Sequence, residues 1–505
     1  MFKVAAVFSN NMVLQREKNV TVFGTTDESC DITVAIPELS VSVKGRTCEN
    51  GKWQAVLPPM KACDNITVIV SCGEFKKTFE NVAVGEVWLC GGQSNMELEV
   101  HSAKDGEELL KSLSPECGVR FYYTQKQGAI RDKFYEIEEN TSWYEASPEN
   151  SRAWSAVGLY FGMKLAKELG VTVGLIGCNW GGTSASAWMS RDSLMEDRDT
   201  ASYISEYEEK VGGKSYDECV KEYDEYEEYD RQWYLKSLEF YKEKPDATWD
   251  EVQEHCGKNL WPGPMGPTNP YRPCGLYETM LMRVCPYTLR GFTYYQGESD
   301  DHKPAIYHKM LTRLIALWRE NWGDEELPFL IVQLPMFKYK NDPDYKHWVK
   351  IREAQMRVYK NIKNTGIAVI SDCGEFDNIH PTDKKPVGDR LALSAMKSVY
   401  GMDVKAYGPM YKSLEYKNGA IVLSFDNAED GFDVRGEISA FEVAGEDKKF
   451  YDAKAEIAGD KIILSSSEVS EPLYARYDCF NWCVPCIYGK NGIPLAPFRT
   501  SGNDE

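Results

Sequence analysis

The chain has 505 residues, which at about 150 residues per domain allows roughly three domains and a large buried core. Its 43% hydrophobic and 27% charged residues are an ordinary globular balance, which excludes a disordered chain or a small disulfide scaffold. Lys+Arg 58 against Asp+Glu 78 leaves a net charge of −20, unfavourable for nucleic acid or an anionic membrane surface, and no run nears the roughly 18 apolar residues of a membrane span. The N-terminus, MFKVAAVFSNNMVLQREK, meets Ser9, Asn10 and Asn11 before the apolar core of a leader can form. Cysteine number is odd, at 15, and several cysteines sit in apolar strand-like contexts, among them Cys90, Cys178 and Cys285. The expectation is a cytoplasmic chain or a mature form, with buried thiols in a reducing compartment.

From Asn19 to about Val84, short alternating runs (Val20–Phe23, Ile32–Ile36, Val41–Val43, Trp53–Leu57, Ile66–Val70) are broken by Gly, Asp, Asn and Pro-Pro, the pattern of a small antiparallel β-sandwich. Apolar runs then alternate with helical stretches. The runs are Val84–Cys90, Val171–Cys178, Phe292–Gln296, Phe329–Leu334 and Ile367–Ile370; the helical stretches include Ser155–Leu169, Ile306–Asn321 and Val349–Lys360. That alternation predicts an α/β fold, a parallel sheet with helices on both faces. A segment rich in Glu, Lys and Tyr, about 190–273, interrupts it and reads as a helical insertion ending in the Pro/Gly stretch Trp261–Pro273. Tyr223, Tyr226, Tyr229 and Trp233 fall on one helix face, either packing the insertion down or forming a lid or sugar-stacking wall. After about Asp403 the runs Ala420–Phe425, Ile438–Val443 and Lys461–Ser465 return to antiparallel character. The expected division is 1–83, a β-sandwich-like module; 84–402, the α/β domain with its insertion; and 403–505, a C-terminal β-module.

Four polar clusters follow predicted parallel strands, where open α/β sheets bind ligands. Gly91-Gly92-Gln93-Ser94-Asn95-Met96 presents a serine at a helix start; it lacks the second glycine of G-x-S-x-G, and Ser94 alone would also read as a helix N-cap. Asn179-Trp180-Gly181-Gly182-Thr183 lets backbone N–H groups approach a ligand. Gln296-Gly297-Glu298-Ser299-Asp300 concentrates polar groups that need partners; Glu298 and Asp300 are too close on one loop to flank a glycosidic bond. Asp377-Asn378-Ile379-His380-Pro381 holds the best placed of six histidines, a candidate base with an acidic partner three residues earlier. No H-E-x-x-H, Walker A or dinucleotide fingerprint is present. Cys479, Cys483 and Cys486 lack a second paired cluster, so they read as thiols, and no metal or cofactor is expected.

Taken in order, these clusters resemble the four blocks of the SGNH hydrolase superfamily. More closely, VGEVWLCGGQSNMELEV (Val84–Val100), GLIGCNWGGTSASAWMS (Gly174–Ser190), RGFTYYQGESD (Arg290–Asp300) and DNIHPTDKKPVGDRLAL (Asp377–Leu393) resemble the sialate O-acetylesterase family of carbohydrate esterases. The flanks Phe8–Gly24, Gly51–Ala62 and Gly492–Ser501 are similar as well. The resemblance implies an SGNH-type sheet between β-modules, with Ser94 as nucleophile, His380 as general base and then acid, and Asp377 as the orienting carboxylate. It implies an oxyanion hole from the N–H groups of Ser94 and Gly181, with neighbouring Gly182 as the alternative to Gly181. At the third block, where the superfamily carries Asn, the side-chain donor assigned is Gln296. Candidate substrate contacts are Gln93, Gly182, Trp188, Glu298 and Tyr271, with Trp261 a further candidate wall.

The implied activity is removal of O-acetyl groups from carbohydrates, foremost O-acetylated sialic acid, through an acetyl-serine intermediate. The rival within the same chemistry is acetylated xylan or mannan oligosaccharide. A rival of another class is a non-catalytic carbohydrate-binding protein. Expected partners are the acetylated sugar, with no nucleic acid and no membrane; nothing in the sequence sets an oligomeric state.

Overall fold

The computed structural model describes residues 2–27, 30–48, 51–245, 247–341 and 345–502. Its organising element is one long strand, β1 (Phe75–Gly92). The first half of β1 pairs antiparallel with Cys63–Cys72, with Cys72 opposite Phe75. Its second half runs parallel between β4 (Val173–Asn179) and β5 (Gly291–Tyr295), with Leu89 opposite both Ile176 and Phe292. The 83/84 division therefore falls inside a continuous strand.

The N-terminal strands carry the alternation read from the sequence: Val20–Thr25 and Ile32–Ile36 bury every second residue, as strands with one solvated face do. Cys30 and Cys72 are joined by a disulfide, whereas Cys90, Cys178 and Cys285 are buried thiols.

The central sheet has the order β3-β2-β4-β1-β5-β6-β7, with β2 Val119–Tyr123, β3 Trp143–Glu145, β6 Phe329–Val332 and β7 Thr365–Ala368. All pairs are parallel except the edge pair β2–β3. The strands are buried on both faces, which is why most read as unbroken apolar runs. β2 was missed because Arg120 breaks its apolar run; that arginine is buried with its guanidinium donating to the Asn11 and Asn81 carbonyls and paired with Glu145 at 3.1 Å.

Short helix α1 (Ser94–Glu97) follows β1, and α2 (Ala156–Leu169) starts at an N-cap in which Ser155 Oγ accepts from Gly158 N–H at 3.0 Å. The insertion comprises α3 (Arg198–Val211), α4 (Tyr216–Glu243) and α5 (Trp249–Cys256), the last two opened by capping boxes at Ser215/Glu218 and Thr248/Glu251. Its aromatic stripe packs against the insertion's own loop and is only partly buried: Tyr223 and Trp233 are buried, Tyr229 is exposed, and Trp233 Nε1 donates to Gly257 O at 2.7 Å. The domain closes with α6 (Tyr307–Trp322), α7 (His347–Asn361) and α8 (Lys385–Ser398). The C-terminal strands form their own core around Leu423, Val443, Ile462 and Tyr477, and Asn481 ties it back by accepting from Phe337 N–H at 2.9 Å and Trp348 N–H at 3.2 Å.

The disulfide spans 42 residues, so loss of its loop-closure restraint is expected to cost about 4 kcal/mol. Replacing Cys30→Ser together with Cys72→Ser should lower the urea midpoint measured on the full chain; an unshifted midpoint would show that the bond contributes nothing.

Candidate active site

Ser94 lies where β1 ends. Gly92 adopts φ +138 and packs so tightly against β5 that a Cβ there would sit 2.1 Å from Tyr295 O, so the turn into α1 requires glycine. Ser94 is the first residue of α1, so no helical carbonyl lies four residues before it to accept from its N–H. Its Oγ is 2.8 Å from His380 Nε2. Residues 286 positions apart in sequence thus meet at hydrogen-bond distance. His380 lies on the loop after β7, held by its own N–H donating to Asn378 Oδ1 at 3.0 Å. Loss of solvent around the ring and the nearby Lys384 ammonium lower its pKa below the ordinary 6.5, partly opposed by Glu97.

Beneath this pair lies a polar hub that the sequence reading missed. Asn95, fully buried, donates from Nδ2 to Glu298 Oε1 at 2.6 Å and to Ile379 O at 2.9 Å, and accepts from Lys384 Nζ at 2.5 Å. It therefore clamps the residue before His380 to the residue after Ser94. Burial pushes the Glu298 carboxyl up to about 7 and the Lys384 ammonium down to about 8. Glu298, expected as a substrate contact, is instead an internal strut, buried and turned toward Asn95.

Other expectations change in the same way. Gln296 is buried with its Nε2 donating to Asp300 Oδ2 at 2.5 Å and Thr183 O at 3.3 Å, so its amide hydrogens are committed away from an oxyanion. Asp300 also accepts from Ser184 Oγ, Ala185 N–H and Tyr203 Oη at 2.6, 2.9 and 2.7 Å, tying the second and third blocks to α3. Trp188 is fully buried, its indole N–H donating to Thr183 Oγ1 at 3.0 Å, and is core rather than pocket wall. Gln93 is buried, and its Oε1 accepts from Ser299 N–H at 3.2 Å. Asp377 adopts φ +60, and its Oδ1 accepts from Lys340 N–H at 3.1 Å; it does not hydrogen-bond His380 here.

Gly181 stands beside Ser94: a Cβ there would be 3.3 Å from Ser94 Cβ. Its N–H already has an occupant, the carboxylate of Glu97 at 2.5 Å, which is also paired with Lys126. Glu97 lies three residues after Ser94, one helical turn on the same face, a spacing that would have pointed to it. Gly182, at φ +74, abuts Trp261 and the half-buried Tyr271 of the insertion loop. Among the described residues no group of three or more His, Cys, Asp or Glu is arranged to hold a metal, and no helix is long and apolar enough to cross a membrane.

The family model for carbohydrate esterase, sialic acid-specific acetylesterase, matches residues 84–260 and 268–397. The chain is 27% identical to the sialate O-acetylesterase of Mus musculus over 84% of its own length and 79% of that protein, and 26% identical to that of Homo sapiens over 82% and 74%. A crystal structure of a carbohydrate acetylesterase from Xanthomonas citri superposes with a TM-score of 0.77 at 26% identity, covering 99% of both chains. The model match runs through the Ser94, Gly181 and His380 blocks described above. The chain is therefore a carboxylic ester hydrolase and belongs to the sialic acid-specific acetylesterase family of carbohydrate esterases.

Proposed function

We propose that the enzyme removes O-acetyl groups from sugars by way of an acetyl-Ser94 intermediate, with O-acetylated sialic acid as the leading substrate. The observation that carries this reading is the 2.8 Å approach of Ser94 Oγ to His380 Nε2 at the C-terminal edge of the parallel sheet. His380 takes the proton from Ser94 as Oγ attacks the acetyl carbonyl carbon. The oxyanion is held by the N–H groups of Ser94 and Gly181, the latter released by Glu97; an unoccupied donor of this kind is worth about 3 kcal/mol. The sugar hydroxyl leaves with the proton from His380, and water then cleaves the acetyl-serine ester to acetate. Acetylated xylan or mannan oligosaccharide is the second reading. It is favoured by the net charge of −20, which offers an anionic sugar no steering, and by the pairing of the nearby Lys126 with Glu97.

Ser94→Ala should lower acetate release from these substrates by about 10⁴-fold or more with the fold intact; release at the wild-type rate would remove Ser94 from the reaction, and no release from either protein would leave a binding protein without catalysis. Asp377 is proposed to orient His380 in the substrate-bound state, exchanging Lys340 N–H for imidazole N–H. Asp377→Asn should then reduce kcat by about 10³–10⁴-fold, whereas a rate within a few-fold of wild type would assign Asp377 to the Lys340 contact alone.

The lowered pKa of His380 keeps its imidazole neutral, and so competent as a base, at pH values where a free imidazole is already half protonated. The acid limb of kcat/KM should accordingly fall below pH 6.5. A limb at or above that value, in a pH–rate profile on a soluble acetate ester, would contradict the assignment.

A further inference from the structure

The loop from Gly257 to Tyr271 is held by many contacts yet leaves a large aromatic ring in solvent. Tyr229 Oη donates to Lys258 O at 2.5 Å and Trp233 Nε1 to Gly257 O at 2.7 Å, both from α4. The Tyr226 ring lies against Gly263, where a Cβ would be 2.4 Å from it. Asn269 Nδ2 donates to Pro262 O and Pro264 O at 2.9 and 3.1 Å, while its Oδ1 accepts from Tyr271 N–H at 2.8 Å. Trp261, whose N–H donates to Asn259 Oδ1 at 2.9 Å, is nonetheless 54% exposed. An exposed tryptophan on a restrained backbone forgoes much of its burial energy, while its ring is already ordered for a ligand.

The position of that ring gives it a use. Ser94 lies against Gly181, and Trp261 lies against Gly182: a Cβ on Gly182 would be 2.8 Å from Trp261 Cζ2 and 3.2 Å from Tyr271 Cε1. Nucleophile and indole thus flank one two-glycine turn. Tyr271 meets Trp261 edge-on, with centroids 5.3 Å apart and planes at 75°, fixing the orientation of the indole. An ester whose acyl carbon sits at Ser94 must extend its alcohol half away from that carbon, and across this turn the exposed surface is aromatic. Pyranose rings offer a C–H face that matches an aromatic plane in shape and polarity.

We infer that Trp261, oriented by Tyr271, is a stacking subsite for a pyranose ring in the alcohol half of the ester, an assignment that rests on the esterase reading above. The test compares wild type with Trp261→Ala and Trp261→Phe, using acetate release from acetylated xylo- and manno-oligosaccharides, from O-acetylated sialic acid, and from ethyl acetate, whose alcohol has no ring. With Trp261→Ala the ratio of kcat/KM on sugar to that on ethyl acetate should fall about tenfold, mainly through KM, and Trp261→Phe should restore most of it. A fall on either sugar class supports the subsite and identifies its occupant. Sugar-dependent release with an unchanged ratio, or equal losses on sugar and ethyl acetate, overturns the subsite and leaves the esterase reading intact. No release from any acetylated sugar by the wild type overturns the proposed function, and the subsite with it.

Discussion

The N-terminal sandwich and the central sheet are both registered to one strand. β1 enters as an edge of the N-terminal sandwich and leaves as a middle strand of the parallel sheet, so its hydrogen bonds serve two cores in succession. Its mid-point is locked by charge. Glu86, fully buried, accepts from Arg16, from Arg290 and from Gln15, joining three chain segments around one carboxylate. Burial alone would raise the pKa of that carboxyl, but the Arg290 and Arg16 guanidinium groups outweigh it and hold it below the usual range. Breaking such a cluster by removing one partner is costlier than never having built it, because the remaining charge stays buried. Ser94 follows directly from the far end of the same strand.

The Asn95 hub does for the loops what Glu86 does for the strands. A buried carboxyl and a buried ammonium meet through an amide, and the same amide holds the carbonyl before His380. Partial neutralisation at both ends, with the acid driven up and the amine driven down, reduces the charge that the interior must bear. The 2.8 Å contact of Ser94 with His380 is thus held from beneath by buried groups.

How far this was legible in the sequence depended on what set each feature. Apolar runs such as Val84–Cys90 are strands because both sheet faces are covered, a property carried by the run itself. Val119–Tyr123 escaped notice because Arg120 is neutralised by partners from remote segments. The motif blocks pointed correctly to the C-terminal edge of the sheet, and the joint order of the blocks pointed to the family. Individual side chains within a block were less legible. Whether Gln296 or Glu298 faces a cavity or the interior is decided by Asp300 of the same block together with Tyr203 of the insertion and Asn95 of α1, which the block's own sequence does not show. Glu97 was the exception, readable from its three-residue spacing after Ser94.

The hold of Glu97 on the Gly181 N–H changes what that donor is worth. An empty donor would contribute its full attraction for the anion of the tetrahedral intermediate. In the proposed mechanism this one trades the Glu97 carboxylate for the oxyanion, so its contribution there is a difference between two occupants. In return, the peptide plane is already turned toward a negative oxygen before any substrate arrives, and the reorganisation that a solvated donor would undergo is completed during folding.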